Sequence, residues 1–408
     1  MSKPIYLFVS SFFPAPESWR GGFCYDMARA LAREGTYDVR VFVPGQGADY
    51  DIGGLHVVRF KQWSLPCGAF PYLMWLYNKV LFLRAIEKAG IHFENIVVCH
   101  SHNFAGYANA VKEKNSRCLS LLHHHCLASF RRSIGLGRFG LLPVYSDIMY
   151  LWVRWEHMKI DCHVFCSRKS RDTYDLCFHP TPEGEWRDIR RDLILCRFLP
   201  KVMIRNDIIF YTGFDEHLFF PAPQKHMGFV IGCVANFQPL KDHMTLLRAF
   251  EIVHREFPAM NLRLVGSGET RRKCEEYVKK NGLTQVVSFE KEFLHDDLPI
   301  FFRALDLFVL PSRLEGFCCV YMESFGCGVP FIACQGCSCE EVLTMESKAA
   351  FLVPPLDYKM LARKIKESYL NRSQKLSLNR DMTYTSLVEE YVHTIEKKRD
   401  HVVNYQML

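Results

Sequence analysis

Leu307-Phe308-Val309-Leu310-Pro311-Ser312-Arg313-Leu314-Glu315-Gly316-Phe317-Cys318-Cys319-Val320-Tyr321-Met322-Glu323-Ser324-Phe325-Gly326-Cys327-Gly328-Val329-Pro330-Phe331-Ile332-Ala333-Cys334 reads as strand, loop, helix and strand. The apolar run Leu307–Leu310 ends at Pro311, the loop displays Glu315, a helix is expected from near Phe317, and Phe331–Cys334 is the next buried strand. The alternation continues outward. The second half adds strands at Phe229–Val234, Leu262–Val265, Val286–Phe289 and Phe351–Val353, and helices at Met244–Phe257 and Tyr358–Leu370. The first half repeats the pattern at Ile5–Val9, Val39–Val43, Ile96–Cys99, Cys118–Leu122, His163–Cys166 and Ile208–Tyr211. Strands that alternate with helices imply parallel sheets, so the expected fold is α/β with two doubly wound, Rossmann-like domains. The Pro-bearing stretch Phe219–Lys225 is the expected linker, with one domain over 1–222 and the next over 223–380.

Composition bounds the function. The chain has 408 residues, 49% of them hydrophobic and 14% aromatic, enough for a large core. Its net charge of +7 is concentrated before Ala222, where 27 Lys and Arg face 21 Asp and Glu. That asymmetry suits an anionic partner such as a membrane surface or an acidic acceptor, or simply a solvated basic face. No Lys/Arg block is dense enough to suggest nucleic acid. Met1–Pro14 reads as a buried strand rather than a signal peptide, so the 17 cysteines are expected to be reduced thiols in a cytoplasmic protein. Cys334, Cys337 and Cys339 lack a second Cys/His pair at zinc-ligand spacing, and no metal is expected. Polar residues interrupt Gly68–Leu83 and Ile134–Trp155, which fail as membrane spans. Phe130–Lys159, rich in Arg and large apolar residues, reads either as an interfacial, acceptor-facing segment or as an ordinary amphipathic core helix.

Open α/β sheets bind ligands at the carboxyl ends of their strands, and two such domains facing a central cleft would place a site on each wall. In the stretch quoted above, free amides at the helix start can hold phosphate oxygens. Glu323, inside the helix, can accept two hydroxyl donors from a vicinal diol such as ribose. Other motifs fail: Gly45-Gln46-Gly47 does not open a helix, and there is no Walker lysine, no G-x-S-x-G elbow and no H-E-x-x-H.

Glu315 and Glu323, eight residues apart with Gly316-Phe317 between them, resemble the E-x7-E signature of retaining GT-B glycosyltransferases of the family 4, or glycosyl transferases group 1, type. Val234–Lys241 resembles the family's strand-loop-lysine element, and Leu264–Glu269 its Gly-rich strand end. Val329–Ala333 is similar to its following strand, and Gly213-Phe214-Asp215 with Phe219 and Pro221 to its domain junction. The resemblance implies a GT-B fold whose C-terminal segment, 381–408, carries a helix over Tyr384–Lys397 that crosses back to the N-terminal, acceptor-binding domain. It implies that Lys241 neutralises the donor diphosphate, that Glu315 contacts the transferred sugar and Glu323 the ribose. Gly316, Phe317, Cys318, Cys319, Gly266 and Gly22 would line the donor. Asn236 stands where the family commonly has arginine, which leaves Arg20 or Arg313 to supply charge. Of His123, His124 and His125, one of the last two is expected to face the sugar, His125 preferred, with His102 an alternative at another strand end.

The implied activity is transfer of a hexose-like sugar, with retention, from a UDP- or GDP-linked donor to a glycan or lipid-linked hydroxyl acceptor. It would need no metal and no cofactor. The implied setting is cell-surface polysaccharide or glycolipid assembly at the inner face of an anionic membrane. A nucleotide-sugar epimerase of GT-B-like fold, or a catalytically silent nucleotide-sugar-binding subunit, are the alternatives.

Overall fold

The computed structural model describes residues 3–15, 21–63, 71–102, 104–125, 143–174, 178–180, 186–188, 196–200, 202, 204, 206–222 and 228–405. The chain divides into two compact units, one of Met1–Pro180, Trp186–Tyr211 and Thr385–Leu408, the other of Thr181–Glu185 and Thr212–Tyr384.

The first unit carries strands β1 (Ile5–Val9), β2 (Asp38–Pro44), β3 (Tyr50–Ile52), β4 (Leu55–Phe60), β5 (Ile96–His102), β6 (Leu119–His124), β7 (Cys162–Phe165), β8 (Phe178–Pro180), β9 (Trp186–Asp188) and β10 (Asp207–Ile209). Eight of them form one sheet in the order β10-β7-β6-β5-β1-β2-β4-β3, parallel except at β3–β4, while β8 and β9 pair as a separate antiparallel hairpin. Its helices are α1 (Gly22–Glu34), α2 (Pro71–Lys88), α3 (Ala105–Lys114), α4 (Pro143–Met158) and α5 (Arg168–Asp172). The central strands are apolar on both faces, as a sheet covered by helices requires: Tyr6, Leu7, Phe8, Val98, Cys99, Leu121 and Leu122 are all fully buried. The chain runs outward from β1 and returns on its other side to β5, so the topological switch point lies between these two strands. Gly21 ends the β1–α1 loop at φ 95°, and a Cβ there would lie 2.4 Å from the Phe12 carbonyl group. That position needs glycine.

The second unit holds β11 (Phe229–Val234), β12 (Met260–Val265), β13 (Val287–Glu290), β14 (Leu307–Leu310), β15 (Phe331–Cys334) and β16 (Leu352–Val353), all parallel, in the order β13-β12-β11-β14-β15-β16. Helices α6 (His243–Glu256), α7 (Arg271–Lys280), α8 (Leu298–Arg303), α9 (Cys319–Gly326), α10 (Met345–Phe351) and α11 (Tyr358–Leu370) connect and flank them. Here the switch point falls between β11 and β14. The helix expected from near Phe317 begins two residues later, at Cys319 with Cys318 as its cap.

The boundary lies between Tyr211 and Thr212 rather than within Phe219–Lys225. Residues 212–222 are tied into the second unit. Phe214 N–H donates to the Met382 carbonyl (3.1 Å), Phe219 is fully buried against His295 and Phe302, and Arg303 donates to the Leu218 and Phe220 carbonyls. The terminal helix α12 (Tyr384–Tyr405) belongs, from Thr385, to the first unit. Its Tyr391 hydroxyl is 3.0 Å from the Tyr6 hydroxyl and its ring packs on Phe210.

The hairpin β3–β4 escaped the reading of the sequence. Its turn is Gly53-Gly54, with φ 55° and 81°, a two-residue hairpin signal. The fourteen described cysteines are free thiols.

Candidate functional site

In the second unit the site grows from the two strand ends at the switch point. After β11 the chain makes a single 3-10 turn, Pro239–Lys241, and Asp242 then takes a left-handed conformation (φ 50°) to open α6. After β14, the loop is fastened to that turn. The Arg313 N–H (2.9 Å) and the Ser312 hydroxyl (3.2 Å) both donate to the Leu240 carbonyl, and Arg313 Nε lies 3.7 Å from Asp242 Oδ2. Lys241 Nζ consequently meets Glu315 Oε1 in a direct ion pair, both side chains largely buried. Burial alone would push the Lys241 ammonium down, but the Glu315 carboxylate beside it holds it above the ordinary lysine value. Glu323, on the second turn of α9, is 3% exposed.

Beside this pair, the Gly-rich end of β12 rests on the loop after β11. A Cβ at Gly266 (φ 136°) would lie 2.2 Å from the Ala235 carbonyl oxygen, and one at Gly268 (φ 147°) 2.5 Å from that of Phe237. The two loops also exchange backbone hydrogen bonds, Phe237 N–H to Ser267 (2.8 Å) and Thr270 N–H to Phe237 (3.0 Å). Gly266 thus holds loop against loop. Asn236 is exposed on that loop. Arg313, one of the two alternative sources of charge, is directed at Asp242, and Arg20 lies outside the described residues.

In the first unit the register of the triple histidine is resolved. His123 and His125 share one side of β6 and the side chain of His124 takes the other. His124 Nε2 is 2.8 Å from His163 Nδ1, and its ring contacts Tyr174 and His157. His125 instead lies against Phe23 at the start of α1, with its Nε2 2.5 Å from His102 Nδ1. His124 and His125 therefore serve different neighbourhoods, and only His125 stands at the β1–β5 switch point. Glycine is required there at Gly21, whose positive φ forms the close turn; Gly22 is the first residue of the helix itself.

Sequence reasoning missed two features: the Leu240 carbonyl that ties the lysine turn to the glutamate loop, and the pairing of His102 and His125 with Cys24. The second had a signal. His100-x-His102 and His123-x-His125 end successive strands, and alternate residues share a face.

With this geometry in place, the likeness to known proteins is specific. Residues 215–385 match the family model of glycosyl transferases group 1. The second unit is a domain of that family. D-inositol 3-phosphate glycosyltransferase of Salinispora arenicola is 35% identical over 115 residues, 26% of each chain. Mannosylfructose-phosphate synthase of Agrobacterium fabrum is 30% identical over 138 residues, 29% of this chain and 30% of its own. The chain thus matches roughly a quarter to a third of the length of such relatives. Across the whole chain the fold is that of GT-B enzymes. Sucrose-phosphate synthase of Thermosynechococcus elongatus covers 99% of this chain and 98% of its own with a TM-score of 0.66 at 18% identity. HepE of Anabaena, solved with UDP and glucose, covers 97% and 100% with a TM-score of 0.64 at 15% identity.

Proposed function

We propose that the protein is a retaining glycosyltransferase that moves a hexose-like sugar from a nucleoside diphosphate donor, UDP- or GDP-linked, to a hydroxyl acceptor on a glycan or lipid. The observation that carries this reading is the largely buried Lys241–Glu315 pair at the switch point, with buried Glu323 on the adjoining helix. A lysine held charged in a poorly solvated position is suited to a departing diphosphate. The amides of Gly316, Phe317, Cys318 and Cys319 approach the same phosphates from the start of α9. Glu323 accepts the ribose hydroxyls, and Glu315 stands beside the anomeric carbon, where positive charge develops. Glu315 neutralises Lys241 directly, so an arriving diphosphate takes over the ammonium and leaves the carboxylate to the sugar. The reaction needs no metal, because the lysine and the amides supply the positive charge.

The acceptor side falls to the first unit. Helix α4 exposes Ile148, Leu151, Trp155 and Met158 at helical spacing, with the Lys159 ammonium 3.7 Å above the Trp155 ring. Such an exposed apolar stripe suits contact with a membrane carrying a lipid-linked acceptor, with Lys159 itself paired to Glu113 and Glu156. Among the described residues no helix is long and apolar enough to cross a membrane.

A thermal-shift comparison of UDP-, GDP- and ADP-sugars tests the donor, because a ligand bound only to the native state raises apparent stability. One nucleotide should stand out, and NMR of the product should show the donor's anomeric configuration retained. Inversion, or an altered free sugar nucleotide with no transfer, would overturn the reading.

A further inference from the structure

Three donor atoms from three separate segments meet at the β1–β5 switch point of the first unit. Cys24 comes from the first turn of α1, His102 ends β5 and His125 follows β6. The Cys24 sulfur is 3.5 Å from His102 Nδ1 and 3.7 Å from His125 Nε2, and the two nitrogens are 2.5 Å apart. A tetrahedral zinc ion, with bonds of about 2.3 Å to sulfur and about 2.0–2.1 Å to nitrogen, keeps such donors roughly 3.3–3.6 Å apart. The two sulfur–nitrogen separations are already at that spacing. The nitrogen pair is closer because one ring donates its N–H to the other; on ion binding that proton moves to the same ring's other nitrogen, and the rings turn and part by about 1 Å.

We propose that Cys24, His102 and His125 form a binding site for a zinc-like divalent transition ion, with a fourth position left for water or an anionic ligand. Mixed thiolate and imidazole donors select zinc and its neighbours over calcium or magnesium. Cys24 is fully buried and His102 is 2% exposed, whereas His125 is partly exposed, so the open position lies on the His125 side. The surroundings are those of a ligand set. Ser10 Oγ, 3.5 Å from the sulfur, donates toward it. Binding exchanges the Cys24 thiol proton for the ion and releases one proton to solvent. The neighbourhood is short of partners: His102 Nε2 and both ring nitrogens of His123 are buried without a hydrogen bond.

The test is titration of metal-free, full-length protein with Co²⁺, a spectroscopic stand-in for zinc. One equivalent should bind, with a thiolate-to-cobalt charge-transfer band, tetrahedral visible bands, release of one proton and displacement by Zn²⁺. Cys24→Ser should abolish the charge-transfer band, and His102→Gln should weaken binding by about 10–100-fold. His163→Gln, in the separate His124–His157–His163 group, should leave the spectrum unchanged. X-ray absorption of the zinc-loaded wild type should show one sulfur and two nitrogens, a readout that stands even where a variant fails to fold. Absence of binding, a cobalt spectrum that survives Cys24→Ser, or its loss in folded His163→Gln would overturn the proposal.

Discussion

The two units solve the same architectural problem with opposite materials. The second is almost continuous in sequence and places the largely buried Lys241–Glu315 ion pair at its switch point. The first is assembled from both ends of the chain and fills its strand ends with neutral imidazoles: His100, His102, His123, His124, His125, His157 and His163 are all held below the ordinary histidine value by burial. In the second unit His243 is lowered in the same way. A charged pair is ready for a phosphate at any physiological pH. An imidazole cluster is sensitive to protons and to soft metals.

The largest effect should come from the difference in connectivity. A chain ending at Arg380 lacks α12 and uncovers Tyr6, which is fully buried against Tyr391. It should be insoluble or show exchange throughout the first unit by hydrogen–deuterium exchange. A fragment of residues 212–384 should fold by itself, with a cooperative thermal transition. Equal behaviour of both fragments would erase the contrast.

Next come the two carboxylates. Glu315→Gln removes an interaction proposed to strengthen in the transition state and should lower kcat by about two to three orders of magnitude. Calorimetry should still show near-normal nucleotide affinity, because Lys241 then loses its internal competitor. Glu323→Ala removes contacts equally present in ground and transition states, so it should raise donor KM and weaken free nucleotide diphosphate binding by about 1–3 kcal/mol. Equal loss of affinity in both variants would show that the roles are not divided.

Acid should discriminate between the units more gently. His157 is lowered to about 3 and His163 to about 4, chiefly by burial; they face each other, His124 and Tyr174, and Asp207 acts on His163. A histidine depressed in the folded state contributes stability above its unfolded value, and that contribution is lost as pH falls toward the folded value. Between about pH 6.5 and 4 the metal-free first unit should therefore weaken, by about 1–2 kcal/mol per histidine at pH 5. Exchange in peptides from β6 and β7, corrected for intrinsic rate, should rise before that in β14 and β15. The smallest expected effect is none: turnover should persist in EDTA, and strict dependence on Mg²⁺ or Mn²⁺ would break the assignment of the diphosphate charge to Lys241.

Most central strands were legible in the sequence because runs such as Phe229–Val234 and Leu307–Leu310 are buried on both faces and bounded by turn residues. Strand β4 was not, since His56 and Arg59 interrupt its apolar residues, although Gly53-Gly54 marked its turn. The loop positions of Lys241 and Glu315 were legible from their spacing to strands, but their direct pairing depends on the Leu240 carbonyl, which no local pattern reveals. Alternation along a strand puts His123 and His125 on one side, but three consecutive histidines do not say which side faces the β1–β5 switch point. Likewise Cys24 gave no sign in sequence that it meets histidines from residues 102 and 125. Residues 68–70 and 130–142, parts of the stretches weighed as membrane or interfacial segments, lie outside the described residues.

The place of α12 bears on how the protein is made. Its Tyr391, Lys398 and Arg399 reach Tyr6, Asn206 and Tyr37, partners synthesised much earlier. Domains generally fold in the order in which they leave the ribosome, amino-terminal first. Here most of the first unit emerges before residues 212–384 yet lacks α12 until those residues have emerged. The nascent chain must keep the Tyr6 surface covered in the meantime, which marks the incomplete first unit as the stage at which a holding chaperone would engage.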